Sequence, residues 1–219
     1  MSSHHIVKDG QEPALIIANG AACSTELIGQ LLEWNPYVVV LDGAIRRVRE
    51  LGLKMDMLLG DFDSHNHEDE QLYQPNIEVI HTPDQNKTDL QKAIELLIER
   101  KYTAVNIVWA TGRRADHNLT NVTDLVRYKQ HINLVMLDDH SRIFPLRNNF
   151  KKWYTRGSVI SLMPVGDVHG IVTTGLKYNL HKESLKIGYR SGSSNEVLHD
   201  GFITIEYTEG DLLLMECTD

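Results

Sequence analysis

Short, continuously apolar runs alternate with amphipathic stretches of helix length through the first two thirds of this chain, and that rhythm restricts the fold most. Strands are predicted at Ala14–Ala18, Tyr37–Leu41, Met57–Leu59, Ile77–His81, Ala104–Trp109 and Asn133–Leu137. Helices are predicted at Thr25–Trp34, Ala44–Leu51, Asp89–Arg100 and Asp116–Lys129. Thr88, followed three residues later by Gln91, forms a capping-box pattern at the start of the third helix. Strands apolar on both faces and separated by helices specify a mostly parallel sheet with helices packed on each side.

After about residue 145 the rhythm changes. The stretch 147–157 is basic and aperiodic and is expected to be a linker. Beyond it, short strand-like pieces are punctuated by glycine: GSVISLMPV, GIVTTGLKYNL, ESLKIGY, GFITIEY and DLLLMEC. Ile203, Ile205 and Tyr207 alternate with polar residues, as a half-buried strand requires. The expected organisation is a loose tail at 1–12, an α/β domain at 13–146, the linker, and a β domain at 158–219.

Composition excludes several classes. A net charge of -8 argues against a non-specific nucleic-acid binder, which needs a basic face. No apolar run is long enough to cross a bilayer, and no secretory signal pattern is visible. The two cysteines, Cys23 and Cys217, have no CxxC neighbour, so a reduced, cytoplasmic setting is expected.

The acids carry the functional signal. Asp42 follows the second strand, Asp61 and Asp63 the third, Asp84 and Asp89 the fourth, and Asp116 the fifth. In an open parallel sheet, ligands bind beyond the carboxyl ends of the strands, so these carboxylates converge on one edge. A hard cation such as Mg²⁺, shared with phosphate oxygens, would relieve their repulsion. Each acid alone also fits an ordinary turn, and convergence is what favours a metal–phosphate site. Lys87 and Thr88 at one helix start, and Gly112-Arg113-Arg114 at another, suit phosphate. P-loop and GxGxxG fingerprints are missing. His65 and His67, in the acidic HNHEDE run, read as a solvated loop because zinc-type spacing is lacking.

In order and spacing, several segments resemble the thiamine pyrophosphokinase family. They are Asp42-Gly43-Ala44, GDFDS at 60–64, TPDQNKTD at 82–89 and GRRADH at 112–117. Later segments match too: Gly157-Ser158, PVG at 164–166, TGLKYNL at 174–180 and GSSN at 192–195. The resemblance departs at Ala44, where the family usually has a second glycine, and at Tyr178, where some members carry Trp.

What the resemblance implies is an α/β nucleotide-binding domain followed by an all-β, sandwich-like thiamine-binding domain. It implies a homodimer with the thiamine site between subunits, and transfer of the diphosphate of ATP to thiamine with release of AMP. Family roles then fall on Asp42, Asp61, Asp63 and Asp89 as Mg²⁺–phosphate carboxylates. Gln85, Thr88, Arg114, Asp116 and His117 fall near the nucleotide phosphates and the reacting centre; Tyr178, Ser194 and Asn195 fall on the thiamine segments. Arg114 is preferred to Arg113 because it lies nearer Asp116. Either Asp42 or Asp116 would orient the hydroxyl or accept its proton. A non-catalytic nucleotide or thiamine sensor of the same fold is the alternative, and retention of every metal acid weighs against it.

Overall fold

The structure, a computed structural model, describes residues 13–63 and 77–218 and divides into two compact units. His65 and His67 lie outside the described residues. The first unit takes residues up to Val122 together with Gln130–Leu134; the second takes Thr123–Lys129 and Val135 onward. The division falls within a helix and a strand, earlier than the boundary expected near residue 147.

In the first unit the alternation becomes β1 (Ala14–Ile17), α1 (Thr25–Leu32), β2 (Val38–Leu41), α2 (Ile45–Glu50), β3 (Met57–Gly60), β4 (Glu78–His81), α3 (Asp89–Glu99), β5 (Ala104–Val108) and α4 (Ala115–Tyr128). The sheet order is β4-β3-β2-β1-β5, and all of these pairs are parallel. β1, β2 and β3 are buried along their whole length, which is why they read as unbroken apolar runs. β4, at the edge, is largely exposed. Ile28, Leu31, Ile45, Val48, Leu90, Ile94 and Leu97 supply the buried faces of the helices. Because every strand points the same way, the loops after β1, β2, β3, β4 and β5 emerge at one edge.

The second unit contains the later part of β6 (Asn133–Leu137), then β7 (Ser141–Pro145), β8 (Asn149–Tyr154), β9 (Val159–Thr174), β10 (His181–Lys186), β11 (Gly192–Glu196), β12 (Gly201–Glu206) and β13 (Glu209–Cys217). The stretch expected to be a linker thus contains β8, paired antiparallel with β12 along its whole length. Phe150, Lys152 and Tyr154 alternate with more exposed neighbours, and the inward Lys152 disguises the strand by meeting Glu216 at 2.5 Å. Two pieces separated in the sequence reading by Gly166 and Gly170 are one strand, β9. Its first half pairs with β13 and β11, and its second half with β10 and β12. The glycines take positive φ (82° and 66°) and let the strand bend rather than end. Side chains from both halves, including Ile160, Leu162, Val168 and Ile171, enter one buried cluster with Ile203, Ile205, Leu212 and Leu214. The described residues include no helix long and apolar enough to cross a membrane.

Candidate active site

A cavity of about 420 Å³ lies at the carboxyl edge of the parallel sheet in the first unit. Its wall includes Asn19 and Gly20 after β1, Asp42 and Gly43 after β2, and Asp61 after β3. Gln85, Lys87, Thr88, Asp89 and Lys92 come from the loop after β4 and from α3; Arg113, Arg114, His117 and Asn121 follow β5. Five parallel strands deliver this set because their carboxyl ends coincide.

Asp42 is nearly buried and its carboxylate is held by backbone. It accepts from the amides of Gly43 (2.5 Å) and Phe62 (3.0 Å). Gly60 makes this possible: a Cβ there would sit 2.2 Å from the carboxyl carbon of Asp42. The glycine therefore clears room for a neighbouring acid, besides letting the chain leave the strand. Phe62 adopts φ 59° and turns its amide toward Asp42.

Asp61 accepts from the amide of Asp63, and Gln85 donates to Asp61 Oδ2 (3.1 Å) and Asp63 Oδ2 (3.5 Å). The Asp63 amide, with smaller help from Gln85 and Lys92, holds the Asp61 carboxyl below its ordinary range. Asp89 behaves oppositely. Burial raises its proton affinity, and the charges of Asp42 and Asp61 add to the rise, while Lys92 at 3.1 Å opposes it. Lys92 is itself nearly buried and also donates to the carbonyl of Thr82 (2.7 Å). Thr88 caps α3 as predicted: its hydroxyl accepts from the Gln91 amide, and its own amide donates to Gln91 Oε1.

The structure brings Asp42, Asp61, Asp89, Gln85, Lys87, Thr88, Arg114 and His117 to one cavity wall, but neither Asp63 nor Asp116. Asp63 stays beside Asp61 through Gln85. Asp116 is exposed and paired with Arg114 at 2.5 Å, and the Arg114 guanidinium is the main reason its carboxyl falls to about 2. Lys87 is paired with Glu95 at 2.6 Å. Sequence reasoning missed Asn19, Lys92 and Asn121, and it set Arg113 aside in favour of Arg114. For Lys92 the signal was present, since it stands one helical turn after Asp89.

Among the described residues, no group of three or more His, Cys, Asp or Glu side chains is drawn together tightly enough to form a ready-made metal cage. The donor set nevertheless suits a hard cation. Three carboxylates line one cavity, and the charges of Asp42 and Asp61 add to the rise in the proton affinity of Asp89 that burial chiefly causes.

In the second unit, Asn195 is buried, and its amide clamps the backbone of Tyr178. Oδ1 accepts from the Tyr178 amide (3.1 Å) and Nδ2 donates to the Tyr178 carbonyl (2.8 Å). Tyr178 is left with its side chain largely exposed and Lys177 Nζ 5.8 Å from its ring centroid. Ser194 takes φ 54° and donates its amide to the Ser161 hydroxyl. Two of the three expected thiamine residues thus form one structural pair.

Residues 28–136 match the family profile described as "Thiamin pyrophosphokinase, catalytic domain", and residues 147–212 match "Thiamin pyrophosphokinase, vitamin B1 binding domain". A thiamine pyrophosphokinase of Bacillus subtilis is 29% identical over 171 residues, covering 73% of this chain and 77% of that protein. Thiamin pyrophosphokinase 1 of Caenorhabditis elegans is 26% identical over 181 residues, covering 75% and 73%. The crystal structure of yeast thiamin pyrophosphokinase superposes with a TM-score of 0.83 over 97% of this chain and 89% of that one; at 18% identity this likeness concerns the fold alone.

Proposed function

This chain belongs to the thiamine pyrophosphokinase family, and from that premise we propose how its own residues carry the reaction. It is an enzyme that transfers the diphosphate of ATP to the hydroxyethyl group of thiamine, giving thiamine diphosphate and AMP. The observation that supports our placement of the chemistry is the crowding of Asp42, Asp61 and Asp89 around one cavity at the carboxyl edge of the sheet.

In this reading Asp61, Asp63 and Asp89 would hold Mg²⁺, which when bound would supply positive charge against the charge of a polyphosphate. Lys92 holds Asp89 in place, and Gln85 aligns Asp61 with Asp63. Asp42, fixed by two backbone amides, keeps the loops after β2 and β3 in register. Lys87, Thr88, Arg114 and His117 offer N–H and O–H donors to a polyphosphate. Asp116, paired with Arg114, sets that arginine's orientation and remains, with Asp42, a candidate to accept the hydroxyl proton. On the thiamine side, Tyr178 offers an aromatic face to a cation, Asn195 fixes its backbone, and Ser194 directly precedes Asn195.

The reading extends to a β-sandwich for the second unit, a homodimer with the thiamine site near the subunit interface, and a cytoplasmic location. AMP formation from ATP, followed with and without thiamine and Mg²⁺, tests it. Thiamine-dependent, metal-dependent AMP is expected. AMP released equally without thiamine, or none at all, would overturn it.

A further inference from the structure

The strand order changes direction between β1 and β5: β2, β3 and β4 build outward from one side of β1, and β5 lies on the other. Such a switch point leaves a crevice between the loops of the two strands, where ligands settle. Here the two loops meet through the Ala21 amide and the Thr111 carbonyl (2.8 Å). Arg113 stands in the second loop with φ 56°, directly after Gly112 at φ 71°. A left-handed backbone at a residue with a side chain costs roughly 1–2 kcal/mol, so the side chain must be held for a reason.

The Arg113 guanidinium crosses to the end of β1 and donates to Asn19 O (3.2 Å) and Asn19 Oδ1 (3.1 Å). From α2, Arg47 donates to the same Oδ1 (2.9 Å) and to Gly20 O (2.9 Å), with its guanidinium 4.8 Å from the Trp109 ring centroid. Two cations therefore converge on one neutral amide oxygen. Arg47 registers the conflict, because burial first and the charge of Arg113 second weaken its hold on its proton. Arg113 lines the cavity and has no ion pair among the described residues, whereas Arg114 beside it is already paired with Asp116. The acids follow β2, β3 and β4; this surplus of positive charge gathers at the switch point.

We propose that Arg113, carried on Asn19 and backed by Arg47, is the cationic contact for the nucleotide phosphate that departs with AMP. Arg47 and Asn19 are positioning residues. The inference rests on the diphosphotransfer reading above. In that reaction the thiamine hydroxyl oxygen bonds to the β-phosphorus, and its proton passes to a carboxylate of the site. The bond from the β-phosphorus to the oxygen bridging to the α-phosphorus breaks, and that oxygen keeps the electron pair. Negative charge therefore grows on the phosphate of AMP, where a guanidinium fixed beforehand stabilises it through paired N–H bonds.

Titration calorimetry with AMP and with adenosine, on the wild type and on Arg113→Gly, tests this. Glycine suits the left-handed backbone, so the variant removes the guanidinium while relieving strain. AMP affinity is expected to fall about ten- to hundredfold, as for loss of hydrogen bonds to a charged group, while adenosine affinity is unchanged. Unaltered AMP affinity, an equal loss for adenosine, or no AMP binding by the wild type would overturn the proposal. The positioning role is read by a double-mutant cycle. Arg47→Ala should weaken AMP in the wild type and add nothing in Arg113→Gly, and additive losses would refute it. These measurements need no turnover. A wild type that makes thiamine-dependent AMP, with Arg113→Gly binding AMP normally, sinks this inference alone. If the wild type makes no AMP the reading of the reaction falls, and the AMP–adenosine contrast still decides whether Arg113 holds a nucleotide phosphate.

Discussion

The two units treat charge in opposite ways. In the second, Glu216 meets Lys152 at 2.5 Å, Arg142 at 3.5 Å and the hydroxyl of Tyr154, so one carboxylate is enclosed by its partners. Burial, then the charge of Glu216, pushes the Tyr154 phenol upward and keeps it protonated as a donor. In the first unit, like charges lie near one another: Asp89 near Asp42 and Asp61 on the cavity wall, and Arg113 near Arg47, both donating to Asn19 Oδ1. A matched network maintains a structure, whereas like charges drawn together suit a charged ligand.

The largest effect that would sharpen this contrast is expected from Asp61→Asn. Thiamine-dependent AMP formation should fall by about a hundredfold or more, with thermal stability little changed because the side chain is only partly buried. Activity near wild type would erase the distinction between the units. An intermediate effect is expected in the second unit from Asn195→Ala, which strands the amide and carbonyl of Tyr178. A loss of about 1–3 kcal/mol in chemical denaturation should accompany a larger rise in KM for thiamine than for ATP. A stability loss with both KM values unmoved would make Asn195 purely architectural.

The smallest effect concerns a matched pair in the first unit. Glu78 accepts from Arg100 (2.6 and 2.8 Å) and from the Tyr37 hydroxyl (3.1 Å), and the Arg100 bonds chiefly lower its proton affinity below the ordinary 4.5. A depressed carboxylate contributes stability that is present above its unfolded value and lost as pH falls through its folded one. The pair is too exposed for more than a slight contribution. Wild-type stability should therefore fall a little more steeply in acid than that of Glu78→Gln, measured as melting temperature against pH; coincident curves would remove the pair from the account.

How far the sequence could be read followed from how much each residue depends on its neighbours along the chain. The Thr88–Gln91 box and the fully buried β1, β2 and β3 are local facts and were legible. Asp42, Asp61 and Asp89 were placed at the site because strand direction alone brings them there. β8 was hidden because Lys152 points inward to a partner 64 residues away, and no local pattern announces Glu216. β9 was cut in two because glycine usually punctuates a strand, while here it bends one. The choice of Arg114 over Arg113 rested on proximity to Asp116, and that same proximity ties Arg114 to an acid.

β9 also dictates an order of events during synthesis. Its first half lies between β11 and β13, so it cannot finish its ladder before residues 209–217 have left the ribosome. Until then the nascent chain exposes a long, half-paired edge of the kind that recruits chaperones or neighbouring chains. The second unit thus completes its sheet only when the nine residues of β13 are available to pair.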